Sequence, residues 1–461
     1  MTSESVRSYA RHHASEYRRQ LEELLRIPSI STLPEHAEDC ERAARWLADR
    51  MTAAGLENVE VVRGRGRPLV YADWLHAEGA PTVLVYGHYD VQPVDPPELW
   101  ISPPFEPEVR DGFIYARGSV DDKGQVMTMV AAADAYLQME GRLPINVRFL
   151  IEGEEESGGE HIKRFLQTDL DRLKADFAHV ADSSFFDSAT PSIDTGLRGI
   201  VYAEIRVRGA DHDLHSGEYG GVAPNPFISL ARVIAQLRDE HGVVMIPGFY
   251  DEVKPPPETV LEDWRSLGVT EEKVARDLHV RRLIGDSDRS VLERQWALPT
   301  LDVHGMPGGF TAEGAKTVIP ALASAKVSMR IVPDQTADGV WRLFEQAVRR
   351  MAPDDVEVTV KLIHGDDPVL VPEKTPEIRA AAAAVREVYG KEPVLIRTGG
   401  SIPVVGLFQE RLGIPTVLLG FGLPGSNLHA PNERFSVEQF ERGIETNALF
   451  WGLAATRKFR G

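Results

Sequence analysis

Val83-Leu84-Val85-Tyr86-Gly87-His88-Tyr89-Asp90 is the stretch from which the rest of the chain is read. An apolar, β-branched run starting at Thr82 has the length of a buried strand, and it stops abruptly at a histidine followed two residues later by an acid. The pattern predicts a strand over 82–86 with His88 and Asp90 just beyond its C-terminal end. In extended backbone, residues two apart share a face, so Asp90 could fix the tautomer and orientation of a metal-binding His88. A histidine that merely hydrogen-bonds a neighbouring acid has the same local sequence.

Other runs end in the same way. Ile145 to Ile151 stays apolar, as a strand covered on both faces does, and leads into Glu152-Gly153-Glu154-Glu155-Glu156. Phe177 to Ala181 ends in Asp182, and Thr416 to Leu419 leads into a glycine-rich turn that carries His429. Between the first two runs, Arg117-Gly118-Ser119-Val120-Asp121-Asp122-Lys123-Gly124 precedes a helical stretch reaching about Gln138, with both aspartates at its first turn. Acids there also suit the positive end of a helix dipole.

Further strands are predicted at about 59–63 and 69–74, and helices at 5–25, 36–54, from 376 onward and at 436–456. Strands alternating with helices imply a mostly parallel, twisted α/β sheet flanked by helices, whose ligands gather at the carboxyl ends of the strands. From Gly199 the pattern changes to alternating strands at 199–209, 323–332 and 356–363, with helices at 225–240 and 338–351. That change predicts an inserted α+β domain over 199–373, dividing a catalytic domain into 1–198 and 374–461. Residues 246–300 read as variable helices and loops.

The chain has 461 residues, 43% of them hydrophobic and 26% charged, which fits a multi-domain globular protein. A formal charge of −19 argues against nucleic acid as a partner. No apolar run is long enough for a membrane span, and Met1 to Gln20 lacks the apolar core of an export signal. Cys40 is the only cysteine, which excludes an intramolecular disulfide and fits the cytoplasm.

Imidazoles and carboxylates without a cysteine ligand suit catalytic Zn²⁺, Mn²⁺ or Co²⁺. Two ions would neutralise the acids, whereas one would leave several uncompensated. Of the adjacent pair Glu155 and Glu156, one could ligate a metal while the other takes a proton from water. Arg330 and His215 also read as an ordinary surface ion-pair partner and a solvated loop histidine, and Gly399-Gly400-Ser401 as an anion nest or a common turn.

The set Gly87-His88-Tyr89-Asp90, Asp121-Asp122-Lys123-Gly124, Glu154-Glu155-Glu156, Asp182, Asp213-Leu214-His215-Ser216-Gly217 and His429-Ala430-Pro431-Asn432-Glu433 resembles the M20 family of metallopeptidases over nearly the whole chain. Gly314 to Pro320 and Gly399 to Pro403 make it most similar to the nonspecific and carnosine dipeptidase branch. The resemblance implies a zinc-exopeptidase-like catalytic domain with an inserted lid and dimerisation domain. It implies that Asp121 bridges two divalent ions, most plausibly zinc, with His88 and Asp182 completing one site and Glu156 and His429 the other. Glu155 would be the general base for attack of metal-bound hydroxide on a short peptide. Asp90 would orient His88, and the Asp121–Asp122 peptide would be cis. His215 would stabilise the oxyanion from the partner subunit of a homodimer, Arg330 would bind a substrate carboxylate, and Thr317, His364, Gly400 and Ser401 would line the pocket. An N-acyl or N-succinyl amino acid amidohydrolase would use the same metal core, and a catalytically silent binding protein would lack a ligand or the base.

Overall fold

A computed structural model describes residues 4–400 and 402–456. The chain begins with helices α1 (Glu4–His12), α2 (Ala14–Leu25) and α3 (Ala37–Ala54), then strands β1 (Glu57–Val62), β2 (Leu69–Trp74) and β3 (Thr82–His88). Helix α4 (Lys123–Glu140) precedes β4 (Asn146–Glu152), β5 (Phe177–Val180) and β6 (Ser192–Leu197). Next come β7 (Gly199–Arg208), α5 (Pro226–Leu237), β8 (Thr300–Gly305), β9 (Leu322–Ile331), α6 (Ala337–Met351) and β10 (Glu357–Asp366). The chain closes with α7 (Pro376–Tyr389), β11 (Thr416–Leu418) and α8 (Val437–Ala455).

These elements form two compact units. One comprises the chain up to Thr195, Val371–Ile396 and the chain from Val404; the other comprises Gly196–Leu370 with Arg397–Pro403. The first holds a largely parallel sheet in the order β1-β2-β4-β3-β5-β11-β6. Its middle strands β4, β3, β5 and β11 pair in parallel, while β1, β2 and β6 join antiparallel. Every residue of β3 beyond Thr82 is buried, as a strand covered on both faces requires. Helix α4 is buried from Lys123 to Tyr136, which explains its alanine and methionine content and the absence of a polar stripe.

The second unit is an antiparallel sheet in the order β8-β9-β7-β10. Val201, Ala203, Ile205 and Val207 of β7 cluster with Leu230 and Val233 of α5 and Phe344 and Val348 of α6, so the alternation in the sequence is an apolar face against helices. Within 246–300 lie short helices Glu258–Ser266, Glu271–Asp277 and Val291–Trp296, and Trp264 packs edge-on against Trp296 at 5.0 Å.

Several expectations are corrected. The helix predicted over 5–25 is two helices divided at His13. β3 extends to His88, which is its last residue and does not lie beyond it. Asp121 and Asp122 precede α4 and are not in its first turn; Asp122 occupies the N-cap position without a capping side-chain bond. The strands Ser192–Leu197 and Val394–Thr398 were not anticipated.

Beyond β11, the chain passes Gly420 so closely to the Asp182 segment that an added Cβ would lie 2.2 Å from the Ser183 carbonyl oxygen and 2.3 Å from that of Ala181. Both neighbours are backbone and cannot turn aside. Gly420→Ala is expected to destabilise the fold by about 1–3 kcal/mol through overpacking, read as a lower denaturant midpoint. An unchanged midpoint would contradict this packing.

Candidate metal centre and active site

Four strand ends and one loop deliver the central residues. His88 ends β3, Glu155 and Glu156 follow β4 on a one-turn 3₁₀ segment, Asp182 follows β5, and Asp121 lies just before α4. His429 lies beyond β11 in a turn where Asn427, His429 and Asn432 all have φ near +60°, at 57°, 57° and 62°. The Asp121–Asp122 peptide is cis.

Asp121 stands between two groups of side chains. Its Oδ1 is 3.2 Å from His88 Nε2, and that nitrogen is 3.9 Å from Asp182 Oδ2. Its Oδ2 is 3.0 Å from His429 Nε2, which is 3.3 Å from Glu156 Oε1. The two triads, His88–Asp121–Asp182 and Asp121–Glu156–His429, each bring one ligand atom per residue within 4.8 Å of the others. Ligands about 2.0–2.1 Å from a tetrahedral cation lie roughly 3.3 Å from one another, so the spacing fits a divalent ion in each triad. His88 Nε2 is buried and makes no well-formed hydrogen bond among the described residues, which leaves it as a donor atom in search of an acceptor or a cation.

Backbone and side-chain contacts hold these ligands. His88 Nδ1 lies 3.1 Å from the Asp90 carbonyl oxygen and 3.4 Å from its carboxylate, so Asp90 meets His88 through both. The Asp90 carboxylate also accepts from the backbone N–H groups of Glu155 at 3.2 Å and Glu156 at 3.1 Å. Asp122 Oδ2 accepts the His88 N–H at 3.1 Å, and Gln92 donates to Glu156 Oε2 at 2.6 Å. These contacts of Asp90, Asp122 and Gln92 with the ligand loops escape a reading of residue types. The signal available for Asp90 and Asp122 is their place inside the quoted motifs.

The electrostatics are those of crowded acids. Burial opposes ionisation of Asp121, but the His429 and His88 imidazoles that face its two oxygens outweigh it and hold its carboxyl below the usual range. Burial, reinforced by Asp121, pushes Asp182 up to about 7. Burial pushes Glu155 well above the usual carboxylate range; His88 opposes this, and Asp182 and Glu156 add to it. His429, hydrogen-bonded to Asp121 and Glu156, is raised to about 10. Protons thus stand in for cations, and a divalent ion would displace them.

The remaining residues belong to the second unit. His215 is exposed, its Nδ1 accepts the Gly217 N–H at 3.0 Å, and it pairs with Val318 across a short antiparallel ladder. The carbonyl of Thr317 accepts from Ser216 at 3.1 Å, so Thr317 and His215 are neighbours. Arg330 is half-buried on β9 opposite Thr300 and Ile200, and His364 is exposed on β10 with its ring stacked on Tyr202 at 5.3 Å. Gly400 is exposed, and Ser401 lies outside the described residues. Among the described residues no helix is long and apolar enough to cross a membrane.

An α/β sheet that brings two groups of His and carboxylate ligand atoms together at its strand ends offers candidate sites for divalent metal ions. The profile of Peptidase family M20/M25/M40 matches residues 84–451, and the chain belongs to that family of peptidases. It is 29% identical over 470 residues to Beta-Ala-His dipeptidase of Homo sapiens, covering 97% of this chain and 92% of that protein. It is similar in structure to the di-peptidase Dug1p of Saccharomyces cerevisiae, with a TM-score of 0.86, 27% identity and 98% of each chain covered. The M20 family metallo-carboxypeptidase Sso-CP2 of Sulfolobus solfataricus gives a TM-score of 0.86 at 32% identity, over 95% of this chain and 99% of that one.

Zinc added back to chelator-treated protein is expected to raise the unfolding midpoint in a concentration-dependent way, with a gain in unfolding free energy of about 2.7 kcal/mol per site at a hundredfold excess over Kd. A midpoint indifferent to zinc, manganese and cobalt would contradict the fit of these triads to a cation.

Proposed function

We infer that the protein is a dinuclear, metal-dependent dipeptidase that hydrolyses the amide bond of dipeptides or short peptides. The observation that carries this reading is the Asp121 carboxylate facing one His and carboxylate group through each of its oxygens. His88, Asp121 and Asp182 would hold one divalent ion, and Asp121, Glu156 and His429 the other. Zinc suits this ligand set best, and manganese or cobalt would also be accepted. The ions supply Lewis acidity and lower the pKa of a bound water.

The chain's own residues do the rest. Glu155 accepts the proton of the attacking water as its oxygen bonds to the scissile carbonyl carbon. As the C–N bond breaks, Glu155 returns that proton to the leaving amine. Glu155 adjoins the ligand Glu156 on the turn that follows β4, which places a carboxylate beside the ligand to take up a proton. Asp90 holds His88 and, through its hydrogen bonds to the N–H groups of Glu155 and Glu156, keeps the base beside the ligand.

The unit from Gly196 to Leu370 acts as a lid and dimerisation domain. His215 of one subunit stabilises the oxyanion in the active site of the other, and Arg330 grips the substrate carboxylate with its planar fork. Thr317, His364 and Gly400 contribute to binding the substrate. A homodimer in the cytoplasm fits a chain whose single cysteine, Cys40, is buried. A carboxypeptidase acting on longer peptides is the second reading, favoured by the similarity to Sso-CP2. A panel of dipeptides beside longer peptides decides between them.

Glu155→Gln is expected to lower turnover by about 10²–10⁴-fold while the metal content is retained. Near-normal turnover with both metals bound would remove Glu155 from this role. Heterodimers of His215→Ala with Glu155→Gln are expected to regain activity, because one active site then receives a wild-type base and a wild-type His215. No recovery in the mixed dimers would contradict the exchange of His215 between subunits.

A further inference from the structure

Glu433 has no place in the reaction described above, yet it is completely buried and every contact of its carboxylate leads toward Asp121. Oε2 accepts from Arg117 Nη1 at 2.9 Å and from the Gly118 N–H at 2.9 Å. Oε1 accepts from the Val120 N–H at 3.0 Å and from the N–H of Asp121 itself at 3.1 Å. Three backbone amides of one short loop, together with a guanidinium, converge on a single carboxylate.

The same residue belongs to the turn that carries His429. That turn is closed by the Arg434 N–H donating to the Ser426 carbonyl at 2.9 Å, and it is pinned to the Asp121 loop by the Ala116 N–H donating to the Glu433 carbonyl at 3.2 Å. Arg117 is fixed in turn: it is 1% exposed, donates to the Pro93 carbonyl at 2.9 Å and lies over the Trp100 ring at 5.3 Å. A buried ion pair alone is weak evidence for a stabilising role, because an apolar pair of similar volume often serves as well. An apolar pair could not hold the amides of Gly118, Val120 and Asp121, and those amides set where the Asp121 side chain begins.

We propose that Glu433 is a positioning residue that clamps the Asp121 loop to the His429 turn, so that the ligands of both metal sites are held as one preorganised piece. The proposal rests on the dinuclear reading. Because Asp121 is common to both triads, loosening Glu433 weakens both sites together, and the effect extends to the Asp182 side, which Glu433 does not touch. Outer partners of metal ligands typically contribute about 10–100-fold in metal affinity.

The test is a competition titration of chelator-treated full-length protein with Zn²⁺, comparing wild type, Glu433→Gln and Glu433→Asp. Glu433→Asp keeps the negative charge beside Arg117 and avoids the folding hazard of an uncompensated guanidinium. Both folded variants are expected to bind zinc about 10–100-fold more weakly at the two sites together. With Co²⁺ in place of zinc, their visible absorption is expected to change, since ligand geometry moves with Asp121. A merely structural Glu433 would lower the unfolding midpoint of the metal-free protein and leave zinc affinity and the cobalt spectrum of the folded variants unaltered; that result overturns the proposal. Weakening at only one site overturns it as well. If wild type itself takes up no zinc, manganese or cobalt, the dinuclear reading fails first, and the proposal falls with it for a reason that the variants do not share.

Discussion

Carboxylates buried close together repel one another unless positive charge stands among them, and the site depends on how that repulsion is met. Two unit charges 4 Å apart interact by roughly 4 kcal/mol at an effective dielectric constant near 20, so several such pairs are comparable with the net stability of a domain. Asp121, Glu155, Glu156 and Asp182 gather at one edge of the sheet because β4, β3 and β5 run parallel and end together. In the absence of a cation, His88 and His429 supply part of the compensation, and burial keeps Glu155 and Asp182 protonated more readily than usual. Divalent charge placed inside the cluster would relieve the repulsion that remains.

Holding such ligands requires rigid outer contacts, and the protein uses buried carboxylates to make them. Asp90 receives two successive amides of the Glu155–Glu156 segment, Asp122 receives the amide of His88, and Glu433 receives those of Gly118, Val120 and Asp121. Each acid bonds to the backbone, so it fixes the path of a ligand loop more than the rotamer of one side chain. Glycines allow these close approaches. A Cβ on Gly87 would meet Asp122 Oδ2 at 2.6 Å, and one on Gly124 would meet the Ser119 carbonyl oxygen at 1.9 Å.

The sequence is most legible where periodicity and chemistry coincide. Apolar runs that stop at His88, Asp182 or the Glu154–Glu156 acids identify both the strands and the edge at which ligands collect. Ser192–Leu197 escapes because its serine, aspartate, threonine and glycine lack the apolar run that marks β3, although every residue in it is buried. The division of the first helix at His13 escapes because apolar residues keep helical spacing on both sides of it. At the site, residue types mark His88, Asp182, the Glu154–Glu156 acids and His429 as candidates, and the resemblance to a family adds Asp121 and sorts them into the two groups that the structure brings together. Residue types do not reveal the outer contacts. Asp122 reads as a helix-dipole acid until its bond to the His88 amide is seen, and Glu433 is one more acid in a turn until its four donors are counted.

The central claim is that Asp121 is shared by two divalent cations, and anomalous diffraction from a zinc-loaded crystal tests it directly. The account predicts two zinc peaks about 3.5–4 Å apart, one on each side of the Asp121 carboxylate. One peak should be flanked by His88 and Asp182, and the other by Glu156 and His429. A single peak, or two peaks that leave Asp121 outside the coordination of either, would contradict it.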